Sequence, residues 1–145
     1  MLEIELPIEF MIYIYIMLFV SYVFSGIGLM KITKKLGEEG SWMAWVPIFN
    51  FYLIGKLAFT KIIGLSIVIL TVIFSINIIT EMSMLSEQLT TMILYAVGIL
   101  LLFSLHKIYS KFSDKANIML GFTVLSGGLL ASIFLFAIRN NEIRE

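Results

Sequence analysis

Apolar residues in this chain run in long uninterrupted blocks, set apart by short polar ones. Four blocks hold no Asp, Glu, Lys, Arg or His: Phe10 to Met30, Ile62 to Thr80, Leu89 to Leu105 and Asn117 to Ile138. A hydrocarbon core about 30 Å thick is crossed by about 20 residues at about 1.5 Å each. The pattern therefore predicts four spanning helices, an all-α transmembrane bundle in a single integral membrane domain. The β-branched content would favour strands in water, but in lipid every backbone amide must be paired within its own segment or in a closed barrel. Barrel strands alternate apolar and polar over about ten residues, and these blocks do not.

A fifth apolar stretch, Trp42 to Gly55 (WMAWVPIFNFYLIG), is short and carries Pro47 at its middle, with Lys56 and Lys61 following. Proline removes a backbone donor and breaks or kinks a helix, while Trp and Tyr favour the headgroup level. The expectation is a short interfacial helix or a re-entrant segment over 42–55, between the first and second spans.

Composition agrees. The chain has 145 residues, 60% hydrophobic and 14% charged, with no cysteine. That is far from the soluble average of about a quarter charged. A disulfide scaffold, a cysteine metal site and a thiol nucleophile are excluded for want of cysteine, and a disordered tail by the hydrophobicity. A net charge of zero argues against nucleic acid, whose binders carry a surplus of Lys and Arg. No phosphate loop, metal-ligand spacing or acidic cluster occurs. His106, the single histidine, falls at the end of the third block, and Ser126 in FTVLSGG lies too deep in the fourth to form a dyad with it. No catalytic residue, metal site or cofactor is expected, and the chain reads as no enzyme.

Charge changes the picture once it is divided among the loops. The loops at 31–61 and 106–115 hold eight lysines against Glu38, Glu39 and Asp114, a surplus of five. Four spans would put Glu3, Glu5, Glu9, Glu81, Glu87, Glu142 and Glu145 on the other side with Arg139 and Arg144, a deficit of five. By the positive-inside rule the lysine loops face the cytoplasm and both termini lie outside. The two arginines are discordant with that scheme. The amino terminus, acidic and without Lys or Arg, does not resemble a cleaved secretion signal.

Small residues recur at helical spacing: Ser21, Ser25 and Gly28 in the first block, Gly64, Thr71 and Ser75 in the second, Gly121, Gly128 and Ser132 with Gly127 and Ala131 in the fourth. Such residues let helices approach closely in lipid, where no hydrophobic force drives association. They are candidate packing positions, within one chain or in a homo-oligomer. Asn77 is a candidate interhelical hydrogen-bond partner.

The stretch from Gly28 to Phe59 resembles a family of small uncharacterised bacterial multi-pass membrane proteins through its W-x-x-W-x-P-x-x-N-x-Y-x-x-G-K segment, matched at Trp42, Trp45, Pro47, Asn50, Tyr52, Gly55 and Lys56. The resemblance covers about a fifth of the chain. It implies a bacterial plasma membrane location and no activity. From the residues themselves, Trp42, Trp45, Pro47, Asn50 and Tyr52 with Lys31, Lys34, Lys35, Lys56 and Lys61 form a candidate interface for anionic headgroups, each Lys worth on the order of 1 kcal/mol. The expected role is a structural or accessory component binding membrane lipids, copies of itself or a larger membrane-protein partner. The alternative is a channel or carrier for a lipid or small neutral solute.

Overall fold

A computed structural model describes residues 7–79 and 86–144. Among these the chain is all-helical: α1 (Ile8–Lys35), a 3₁₀ turn (Ser41–Trp45), α2 (Pro47–Ala58), α3 (Lys61–Ile79), α4 (Glu87–Phe112), α5 (Ala116–Leu125) and α6 (Leu129–Ile138). Helices α1, α3 and α4 are long and apolar enough to cross a membrane, by length and composition, which is consistent with a membrane protein.

Helix α1 has 28 residues, with Glu9 in its first turn and Lys34 and Lys35 in its last, charges that suit the helix dipole. It stops at Gly37, whose φ of 68° lets the Gly37 and Glu38 amides donate to the Lys34 and Thr33 carbonyls at 3.1 and 3.0 Å. This pair of bonds is a Schellman stop. The chain then doubles back along α1. Trp45 packs on Gly26, and the Tyr22 hydroxyl donates to the Trp45 carbonyl, so the 3₁₀ turn lies against the middle of α1. Val46 is extended (φ −106°, ψ 117°) and Pro47 opens α2. Proline at the first helical position loses no helix bond and pre-sets φ, so Pro47 starts a helix here.

Helix α2 runs back to the lysine end, where the Lys111 Nζ donates to the Leu57 carbonyl at 2.7 Å. It crosses α3 at two glycines: a Cβ at Gly55 would come 2.7 Å from the Gly64 Cα. Asn77 Nδ2 donates to Thr90 Oγ1 at 2.8 Å, joining α3 to α4. Thr71 and Ser75 donate instead to carbonyls one turn back in α3.

The stretch 117–138, expected as one span, is two ten-residue helices, α5 and α6, separated at Ser126–Gly128. Gly127 and Gly128 have φ of 62° and 92°, and their amides donate to the Val124 and Thr123 carbonyls at 3.0 and 2.8 Å. This is a second Schellman stop. Ser126 Oγ donates to the Thr123 carbonyl and accepts from the Leu130 amide at 3.1 Å, so it serves both helix ends. After the turn α6 runs parallel to α1. Ser132 meets Ser21 at 2.8 Å, Leu135 meets Gly28, and the Asn141 carbonyl accepts from Lys35 Nζ at 2.7 Å.

The chain therefore returns to the lysine end. Asn141 Nδ2 donates to the Phe112 carbonyl at 2.9 Å, the Arg144 amide to the Lys111 carbonyl at 2.8 Å, and Arg144 lies 3.6 Å from Asp114. Four spans would have put Arg139 and Arg144 opposite the lysines; the turn at Gly127–Gly128 brings them beside Lys35 and Lys111. The C-termini of α1, α2, α4 and α6 all converge here, each a negative dipole end that favours cations. The main core lies in this half, around Leu29, Ile32, Leu53, Leu57, Ile108, Tyr109, Phe112, Leu135 and Ile138. Beyond it, α1 residues 8–20 are exposed, and among the described residues α1 does not pack against α3 or α4.

Candidate functional site: a cavity at mid-bundle

Between α1 and α4, two interposed segments enclose a partly open cavity of about 660 Å³. Its walls are α1 (Leu18, Ser21, Tyr22, Ser25), the first turns of α2 (Pro47, Asn50, Phe51, Ile54), α4 (Gly98, Leu101, Leu102, Leu105) and the α5–α6 turn with α6 (Thr123 to Leu135). The lining contains no Asp, Glu, Lys, Arg or His. Gly98 presents open space, with nothing within 4 Å of where a Cβ would stand.

Most polar groups in this wall are already satisfied. Ser21 donates to Ser132 at 2.8 Å, Ser132 to the Leu129 carbonyl at 2.9 Å, and Tyr22 to the Trp45 carbonyl. Thr123 donates to the Met119 carbonyl at 2.8 Å and meets the Tyr109 hydroxyl at 3.2 Å. Asn50 differs. It is 8% exposed, and its Oδ1 is buried without a hydrogen-bond partner. Leaving a buried polar group unpaired costs about 1–3 kcal/mol, so the position is expensive for the fold alone. Its placement on the fourth residue of α2 follows from Pro47, which fixes where the helix begins.

The lysine end has a different character. Glu38 lies 2.8 Å from Lys56 Nζ, which also donates to the Glu39 carbonyl at 3.1 Å. The hydrogen bond from Lys56 Nζ to the Glu38 carboxylate, with the positive charge of Lys56, lowers the Glu38 pKa below the ordinary carboxylate value. Lys35, Lys56 and Lys111 thus spend their ammonium groups on the chain's own carbonyls and carboxylates. Of the lysines singled out for headgroups, Lys31, Lys34 and Lys61 hold no such internal bond among the described residues. Trp42 is exposed and edge-on to Phe49 at 6.2 Å, whereas Trp45 packs against Tyr22 and Gly26. Tyr52 lies against Gly64.

Apart from Gly121, the candidate packing positions serve helix contacts, the cavity wall or, at Ser21, Ala131 and Ser132, both. Ser21, Gly28, Gly64, Asn77 and Ser132 sit at helix contacts, and Ala131 packs against the core. Ser25, Gly127 and Gly128 line the cavity, and Gly121 faces open space. His106 Nε2 lies 2.8 Å from Asn117 Oδ1 at the head of α5, and Ser126 is nine residues further along, roughly 13 Å by helix rise. They do not meet.

Sequence reading singled out Asn50 only as part of the interface motif, and missed the cavity. The signal was a buried-type Asn in the turn after a helix-starting proline. The chain matches no protein-family model, no curated protein and no solved structure.

Proposed function

We propose that this chain is a non-enzymatic multi-pass protein of the bacterial plasma membrane that holds a lipid within the bilayer, in the cavity at mid-bundle. In this reading α1, α3 and α4 span the membrane, and the segments 41–58 and 116–138 enter it from the lysine end and return there. Non-helical backbone at such depth is tolerated where it is buried in protein or lines a cavity, and both turns here are flanked by the cavity. The lysine end is cytoplasmic by the positive-inside rule, which puts the amino-terminal end of α1 outside and Arg144 inside. The reading rests above all on one observation: a cavity of about 660 Å³ with a mostly apolar, uncharged wall between α1 and α4.

Its test is a filled cavity. Gly98→Phe projects a ring into the open space beside Gly98, and the protein purified in mild detergent is compared with wild type by native mass spectrometry. Wild type retains bound lipid and the variant loses it while still unfolding cooperatively. Equal lipid retention by both defeats the proposal.

A further inference from the structure

We infer that Asn50 is the polar anchor of this cavity and that its ligand is an uncharged lipid bearing a free hydroxyl, of the diacylglycerol or long-chain alcohol type. The inference rests on the lipid-holding reading and specifies its ligand.

Three observations converge. First, the cavity wall carries no Asp, Glu, Lys, Arg or His, so a phosphate or carboxylate moved into it would be desolvated with no countercharge, which is prohibitive. The ten Lys and Arg residues lie elsewhere, at the far ends of the helices. Second, the hydroxyls of Ser21, Tyr22, Thr123 and Ser132 are spent on one another, on Tyr109 or on backbone carbonyls, and the half-buried Ser25 hydroxyl has no such bond among the described residues. Asn50 is the buried exception, 8% exposed with an unpartnered Oδ1. A carboxamide oxygen accepts a hydrogen bond and its amino group donates one, so it matches a hydroxyl, which does both. Third, Asn50 sits in the first turns of α2, beside Pro47, where a helix N-terminus supplies a positive dipole end toward an oxygen. Around this polar point the wall is Leu18, Phe51, Leu101 and Leu105, suited to acyl or polyprenyl chain. The cavity is only partly enclosed, which leaves a chain too long for it a path into the bilayer.

The experiment uses the full chain in phosphatidylcholine nanodiscs, doped with dioleoylglycerol, with dioleoyl phosphatidate, which adds only a phosphate, or with squalene, which has no polar group. Retention of each is read by native mass spectrometry for wild type, Asn50→Leu and Gly98→Phe. Wild type selects dioleoylglycerol over the other two, Asn50→Leu weakens that retention about fivefold, as expected for one hydrogen bond, and Gly98→Phe abolishes it. Asn50→Leu removes an unpaired buried group, so its thermal unfolding midpoint is not lowered, which separates ligand loss from misfolding. If Gly98→Phe abolishes binding and Asn50→Leu leaves it intact, the cavity reading stands and the anchor is refuted. Preference for phosphatidate or squalene overturns the ligand class, and a cavity that retains no lipid, holding water alone, overturns both.

Discussion

Gly28 of α1 touches the backbone of Leu135 in α6 so closely that a Cβ at position 28 would stand 2.7 Å from the Leu135 carbonyl carbon and 2.8 Å from its oxygen. Backbone cannot step aside as a flexible side chain can. The stacked rings of Phe24 and Phe136, 4.6 Å apart, and the Ser21–Ser132 hydrogen bond flank this contact and fix its register. Gly28→Ala is expected to cost about 1–3 kcal/mol, the usual range for overpacking. Gly121→Ala, with nothing within 4 Å, is expected to cost nothing measurable. Unfolding titrations in mixed detergent micelles compare the two.

The turn between α5 and α6 depends on backbone that L side chains resist. Gly127 and Gly128 both have positive φ, at 62° and 92°, and a left-handed conformation costs a non-glycine residue about 1–2 kcal/mol. Alanine at either position is expected to destabilise by about that amount, and alanine at both to favour one continuous helix over 116–138. The same titration reads the cost. Helical content by circular dichroism remains nearly constant, because the turn is only about three residues long.

These two glycines also show what the sequence conceals. A hydropathy pattern reports the solvent of a segment and not its direction, so two ten-residue apolar helices folded into a hairpin read like one span. Gly127 and Gly128 carried the packing signature of small residues, and the same residues at a helix end signal a Schellman stop; Ser126 beside them tips the balance. Arg139 and Arg144 were the clue in the charge pattern, out of place under four crossings and in place once the chain turns back. The long blocks were plainer. The stretches 10–30 and 62–80 lie almost wholly within α1 and α3, and α4 runs on from 105 to 112 because His106, Lys107 and Lys111 continue the helix into the polar end. Pro47 was read as a break within the segment, when its lack of an amide hydrogen equally suits the first position of a helix. The cavity had no sequence signature, because its wall comes from four separate stretches of the chain.

At the lysine end, the Glu38–Lys56 pair predicts an acid-sensitive contribution to stability. Hydrogen bonding to Lys56 and its charge lower the Glu38 pKa in the folded protein. The unfolded chain therefore takes up the proton first as pH falls, and stability from this pair is present at neutral pH and lost as pH drops through the folded value. Glu38 is exposed, so the effect is small and screened by salt. Glu38→Gln is expected to lower the thermal midpoint slightly at neutral pH, with the difference from wild type vanishing at pH well below the carboxylate range. A difference independent of pH would assign the loss to something other than the charge.

The fold's central feature is the return of the chain to its basic end, and side-specific labelling reads it directly. The protein has no cysteine, so single cysteines at Gln88, Lys115 and Glu142 report without background to a membrane-impermeant maleimide in oriented vesicles. The expected result is labelling of Lys115→Cys and Glu142→Cys from the same side and of Gln88→Cys from the opposite side. Labelling of Glu142→Cys together with Gln88→Cys would mean that 116–138 crosses the membrane once, and would contradict the hairpin and the cavity it helps to build.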